Sequence, residues 1–333
     1  MSYLPVRLRR LRRTAAIRSL VQETRLHPQQ LIAPLFINEL ITQKQEIKNM
    51  PGQFQLSLNC LAGEIDSLAN LGIRAVLLFG IPAIKDPQGL ASLSSNGIIQ
   101  QAIRAIHKIN KDLVIITDLC FCEYTDHGHC GILNGQEIDN DQTLVWLSKQ
   151  AVSHAQAGAD WVAPSGMMDG MVEAIRTALD KAGYCDVAIM SYAIKYCSSF
   201  YAPFRAATLA APQFGDRKTY QMNPANANEA YREAALDVAE GADALVVKPA
   251  MNYLDVIYRI KQAYSELPLC AYQVSGEYSM LKNAALQGLI DGQLAMVESL
   301  LAIKRAGADF MITYFAKDLA KLLANNNFNT IAI

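Results

Sequence analysis

No apolar run in this chain approaches the roughly 20 residues needed to cross a bilayer, which excludes a helical membrane span. Net charge is also lacking: 30 Lys and Arg against 31 Asp and Glu leave −1 over 333 residues. No global field therefore favours nucleic acid or an anionic membrane as partner. No basic-then-apolar leader is recognisable at the start, and the 7 cysteines are an odd number. Both absences point to a reducing cytoplasm rather than to a secreted disulfide scaffold. No Gly-x-Gly-x-x-Gly follows an early strand, so a doubly wound dinucleotide-binding sheet lacks its usual support. Acid is missing from the start of the chain. Arg7, Arg9, Arg10, Arg12, Arg13 and Arg18 all precede Glu23, the first carboxylate. Such a run suits a nucleic-acid arm, a transit peptide or an arm that packs on another subunit. Leu8, Leu11 and Ile17 among the charges favour the last. Residues 1–28 are read as an arm making subunit contacts, and 29–333 as one catalytic domain.

What remains is ordinary globular composition, 51% hydrophobic and 18% charged. Short apolar runs alternate with helical patterns. Strands are expected at Leu31–Ile37, Ala75–Gly80, Leu113–Asp118, Asp160–Ser165, Val187–Tyr192, Ala244–Lys248, Leu269–Val274 and Phe310–Tyr314. Runs such as Ala-Val-Leu-Leu-Phe are apolar on both faces, as parallel strands buried between helices require. Several strands follow Ala-Gly-Ala-Asp or a close variant, at Ala157–Asp160, Glu240–Asp243 and Ala306–Asp309. Glycine there ends a helix in the left-handed conformation before a tight turn. The pattern predicts an α/β fold, a (β/α)8 TIM barrel. The interval between Tyr192 and Ala244 is the long one. It holds Lys195–Arg205 and Gly215–Lys218 before a helix expected at Asn226–Glu240. An insertion after the fifth strand lies at the C-terminal face of a barrel, where it can close over a pocket as a lid.

Chemistry-bearing residues gather at that same face. Strand three ends in Asp118 and runs into Cys120, Cys122 and Cys130. Three thiolates at this spacing can hold a soft or borderline cation, zinc foremost. With three protein ligands a coordination position stays open, as in a catalytic site. His127 or His129 as a fourth ligand would close it, and spacing alone leaves that choice open. Strand five leads to Lys195, strand six to Lys248, strand seven to Ser275 and strand eight to Tyr314. An ordinary lysine, with a pKa near 10.4, is a poor nucleophile at neutral pH. Burial and a second ammonium both lower that pKa, so paired lysines suit Schiff-base chemistry on carbonyls. Arg205 and Arg217 in the lid could grip a carboxylate, and Ser275 and Tyr314 could bind a second one.

These residues closely resemble the porphobilinogen synthase (5-aminolevulinate dehydratase) family in its zinc-dependent bacterial form. The resemblance is carried by Asp118–Gly131, Met190–Arg205, Gly215–Pro224, Leu245–Pro249, Ala271–Tyr278 and Lys304–Asp309, and runs almost end to end. It implies a lyase of tetrapyrrole (heme) biosynthesis that condenses two 5-aminolevulinate molecules to porphobilinogen with loss of two waters. Lys248 would form a Schiff base with the propionate-side substrate, and Lys195 would anchor the acetate-side one through a second Schiff base. Arg205, Arg217 and Gln221 would hold the acetate-side substrate, and Ser275 and Tyr314 the other carboxylate. Asp118 would assist proton transfer. Zinc would sit on Cys120, Cys122 and Cys130, with His129 outside the ligand set. The resemblance further implies an allosteric magnesium at Glu233 and a homo-octamer in which the arginine arm embraces a neighbour.

The chain departs from the family pattern at Ile194, where smaller or polar residues are common, and at Ala202, where glycine is usual in the lid. Neither change removes a catalytic group. Two other readings stand beside this one. A class I aldolase would need one lysine and leave the cysteines idle; a zinc-stabilised scaffold would unfold on chelation.

Overall fold

The computed structural model describes residues 4–325. The ends of both expected segments, residues 1–3 of the arm and 326–333 of the catalytic domain, lie outside the described residues. The expected strands form at Leu31–Asn38 (β1), Ala75–Ile81 (β2), Val114–Leu119 (β3), Trp161–Pro164 (β4), Ala188–Lys195 (β5), Ala244–Lys248 (β6), Leu269–Gln273 (β7) and Phe310–Thr313 (β8). Each pairs in parallel with its neighbours in chain order, and β8 returns to β1 through Leu31–Met311 and Ile32–Ile312. The sheet is therefore closed, and the predicted (β/α)8 barrel is the fold.

Helices follow the strands at Leu61–Asn70 (α1), Ile98–Ile109 (α2), Asn140–Ala157 (α3), Met171–Lys181 (α4), Glu229–Ala239 (α5) and Leu254–Ala263 (α6). Ser275–Leu286 (α7) and Gly292–Ala306 (α8) separate β7 from β8, and Ala316–Ala324 (α9) comes last. On α2 the buried side chains Ile98, Ile99, Ala102, Ile103 and Ile106 recur at helical spacing and make one apolar stripe. The expected glycine stops are present: Gly158, Gly241 and Gly307 all have positive φ directly after their helices. Among the described residues no helix is long and apolar enough to cross a membrane, and all seven cysteines are free.

Two details of β5 and β1 position the site. β5 runs past Tyr192 to Lys195, and its register with β6 shifts between Leu245 and Val247. That irregularity, a β-bulge, lets Ser191 reach outward to Asp237 of α5 while Tyr192 and Lys195 share the inner side. The short strand Phe54–Leu56 pairs with β1 through Phe36–Gln55 and carries Gln55 to the rim of the barrel. The segment after β5 contains a helix, Ala202–Thr208, that begins on proline-compatible positions and closes over the barrel mouth. The helix expected at Asn226–Glu240 is shorter, Glu229–Ala239, with Asn228 as its N-cap. In the arm, Leu8–Arg12 and Ala15–Leu20 are helical, and Leu4, Val6, Leu8, Leu11 and Leu20 are exposed.

Candidate active site

The metal loop leaves β3 at Leu119 and returns at Cys130. Cys120, Cys122 and Cys130 are buried, and their sulfurs lie within 4.8 Å of one another, Cys120 and Cys122 being 3.4 Å apart. Thr125 Oγ1 pins the turn between them, 3.0 Å from the carbonyl oxygens of both Phe121 and His129. Three buried sulfurs fit a soft cation with one position left for water or substrate. The histidines face elsewhere. His127 Nε2 lies 3.2 Å from the Pro87 carbonyl, and His129 meets Phe214 O and Tyr220 Oη with its two ring nitrogens. Neither is part of the sulfur cluster. Hydrogen bonds from Cys120 and Cys122, helped by the Arg217 and Lys195 cations, hold the Cys130 thiol well below its ordinary range. Glu123, which motif reading passed over, is buried with Oε2 3.3 Å from Cys122 Sγ. Burial pushes its carboxyl up. Its one sequence signal is an acid directly after Cys122 and between the aromatic residues Phe121 and Tyr124.

Lys195 and Lys248 are partners in register at the ends of β5 and β6, on strands about 4.8 Å apart. Both are buried, but their surroundings differ. Lys195 Nζ donates to the Ser165 carbonyl at the end of β4. Lys248 Nζ faces aromatic rings: Tyr272 at 4.4 Å, Tyr192 at 5.1 Å, Tyr201 at 5.2 Å and Phe204 of the lid at 5.5 Å. Burial, and after it the Lys195 charge, lowers Lys248 to about 7. Asp118 completes the group, accepting from Ser165 Oγ at 3.1 Å, while its Oδ1 is buried without a protein partner. Burial and Glu123 raise its carboxyl to about 8, against the opposing pull of Lys248 and Lys195. At neutral pH the site thus holds an amine that readily loses its proton next to a carboxyl that readily keeps one.

A family model for delta-aminolevulinic acid dehydratase matches residues 5–322. The chain belongs to that family. It is similar to the delta-aminolevulinic acid dehydratase of Halalkalibacterium halodurans, 55% identical over 317 residues, 95% of this chain and 96% of the relative. The Staphylococcus aureus dehydratase is 50% identical over 319 residues, 95% of this chain and 98% of that one. Among solved structures, the Toxoplasma gondii porphobilinogen synthase in complex with its reaction product porphobilinogen superposes with a TM-score of 0.95 at 43% identity. That match covers 99% of this chain and 96% of the other.

The other residues expected from the sequence lie on strand ends and on the lid around the barrel mouth. Tyr314 Oη lies 3.0 Å from Tyr272 Oη, one ring away from Lys248. Ser275, at the start of α7, is occupied with the lid: its Oγ accepts from Phe204 N at 3.0 Å and donates to Phe200 O at 3.3 Å. Arg217 is buried, and Nη2 donates at 2.8 Å to Gly128 O of the metal loop and to Ala210 O of the lid. The Nε atoms of Arg205 and Arg217 and both amide atoms of Gln221 are buried without protein partners. Unspent polar atoms of this kind call for a partner, an ordered water or a polar ligand. Gln221 lines a 530 Å³ cavity together with Asp169, Glu229 and Glu233. Burial first, then Asp169 and Glu229, raises the Glu233 carboxyl. Among the described residues these three carboxylates do not converge as the cysteine sulfurs do.

Gly128 sits where the metal loop and lid touch. Its φ is +72°, and a Cβ there would lie 2.4 Å from the Ala211 carbonyl oxygen. Gly128→Ala is expected to separate loop from lid. Turnover should fall at least ~10-fold, by misplacement of the site, with faster backbone hydrogen exchange in residues 209–217. Unchanged exchange there would show that the two segments move independently.

Proposed function

We propose that this chain condenses two molecules of 5-aminolevulinate into porphobilinogen with loss of two waters, as a lyase of tetrapyrrole biosynthesis. The observation that carries this reading is the meeting of two buried lysines and three buried cysteines at one barrel mouth. Lys248, the amine freed by burial, attacks the ketone carbon of one substrate and expels its oxygen as water to give a Schiff base. Lys195, anchored on Ser165, takes the other substrate. Asp118, with a free oxygen toward the site, accepts and returns protons during these steps. The aromatic box around Lys248 and the lid helix above it keep water away from the imine. Arg205, Arg217 and Gln221 offer donors to one substrate carboxylate; Tyr314 offers its hydroxyl to the other, and Ser275 would join it by turning its proton away from Phe200 O. A zinc ion held by Cys120, Cys122 and Cys130 would supply Lewis-acid polarisation of a substrate carbonyl when bound.

We assign Glu233, with Asp169 and Glu229 beside it, to an activating magnesium. The arm, residues 1–28, is read as contacting another copy in a homo-octamer; its exposed leucines and arginines support this, since an isolated monomer leaves that apolar surface wet. A cytoplasmic setting suits the free thiols.

Incubation of the purified, zinc-supplied protein with 5-aminolevulinate is expected to yield the pyrrole, identified by mass. Folded protein with zinc bound that yields none would overturn the reading. The Lys248 pKa adds a pH dependence. Because the value is depressed to about 7, the free amine prevails above that pH and is lost as pH falls through it. The rate of cyanoborohydride trapping of 5-aminolevulinate should drop about tenfold per unit below pH 7. A rate flat from pH 5.5 to 8 would place the reactive amine elsewhere.

A further inference from the structure

The lid helix is held at both ends, and its C-terminal hold comes from a residue outside every motif described above. Lys85 follows β2, in a loop docked on the metal loop. Asp86 and Thr125 form an isolated parallel bridge there, Asp86 N donates to Tyr124 O and Asp126 N to Asp86 O, both at 3.3 Å. From that base the half-buried Lys85 reaches across to the lid. Nζ donates to Leu209 O at 2.7 Å and to Thr208 O at 3.1 Å. These are the last carbonyls of the helix Ala202–Thr208, the end where a cation is favoured by the helix dipole. Leu209, its cap, is left-handed at φ 53°, a conformation unfavourable for a residue with a Cβ. The helix also carries Phe204, which faces Lys248, and Arg205. Gln55 Nε2 adds a bond to Ala207 O at 2.6 Å.

We propose that Lys85 is a positioning residue for the dehydration reaction: its ammonium seats the C-terminal end of the lid helix on the metal loop and so places Phe204 and Arg205 over the paired lysines. Lys85 touches neither lysine, so it acts through the helix. The kinetic part of this inference rests on the proposed reaction; the structural part does not.

The test compares Lys85→Met and Lys85→Arg in the full-length protein. Hydrogen exchange is measured without substrate, followed by steady-state kinetics with 5-aminolevulinate. In Lys85→Met the amides of Leu209 and Ala210, which close the helix on Arg205 O, should exchange at least ~10-fold faster, while those of β6 stay protected. KM should rise roughly tenfold with kcat within about threefold, because the carboxylate grip is loosened and the nucleophile is left alone. Lys85→Arg should restore both within about threefold by keeping the charge. Unchanged lid exchange in Lys85→Met, or faster exchange spread evenly over barrel and lid, would overturn the proposal. If Lys85→Met does not fold, Lys85→Gln is read by the same criteria. A wild-type protein without turnover whose lid still loosens in Lys85→Met would refute the reaction and keep the seat.

Discussion

Lys248→Met is expected to lower turnover by a factor on the order of 10⁴ while the barrel stays folded. Methionine matches the length and volume of the lysine stem and belongs among Tyr192, Tyr201, Tyr272 and Phe204, but it offers no amine. Lys195 does not replace it: it approaches from β5 rather than β6 and serves the other substrate. Stability should move the other way. A lysine whose pKa falls from 10.5 to about 7 on folding destabilises the folded state by a few kcal/mol, at about 1.4 kcal/mol per unit. That cost is fully present below pH 7, where both states are charged, and disappears above the unfolded value near 10.5. With the lysine gone, Asp118 loses an opposing charge and stays protonated, so no buried ion is orphaned. The variant should therefore unfold at or above the wild-type Tm at pH 6.5, measured by circular dichroism. A variant that kept more than about a tenth of wild-type turnover would remove Lys248 from the mechanism.

Chelation of zinc should reduce turnover at least ~1,000-fold, with recovery when zinc is restored, and should leave the circular dichroism of the barrel intact. The two halves of that expectation have separate causes. The cysteines sit in a loop beyond β3, whereas the core consists of strand and helix side chains such as Leu77, Ile116, Val246 and Ile312, which need no metal. Without an ion, hydrogen bonding to Cys120 and Cys130, together with burial, holds the Cys122 thiol well above its ordinary range. The bare loop therefore holds the low Cys130 thiol between two neutral ones, Cys120 and Cys122, rather than three repelling thiolates. Binding must displace those protons, so zinc affinity should strengthen as pH rises. Turnover indifferent to chelation would separate the cysteines from catalysis; collapse of the fold on chelation would make the metal structural.

The barrel was legible because its strands must be apolar on both faces, and that constraint is written in consecutive residues. Ala244–Lys248 was bounded as observed, and most other strand ends differ by a residue or so. β5 differs most. Its bulge at Tyr192 depends on pairing with β6, which no local pattern records, and so Lys195 lies within the strand rather than after it. The cysteines and lysines were visible as residue types at strand ends. Glu123 and Lys85 were not, because an acid in a turn and a lysine before Asp-Pro look solvated until packing places them. Ser275 and Arg217 were visible as polar residues, but their present hydrogen bonds run to the lid and the metal loop, tertiary partners that sequence cannot name.

Lys248 is proposed as the covalent nucleophile of a paired-lysine site. That role is tested most directly by reducing the zinc-loaded protein with borohydride in the presence of 5-aminolevulinate and mapping the modified peptide by mass. An adduct of substrate less one water plus two hydrogens is expected on Lys248 of β6, absent from Lys248→Met. An actively turning-over protein that yields no adduct on Lys248, or carries it only on a lysine outside the barrel mouth, would contradict it.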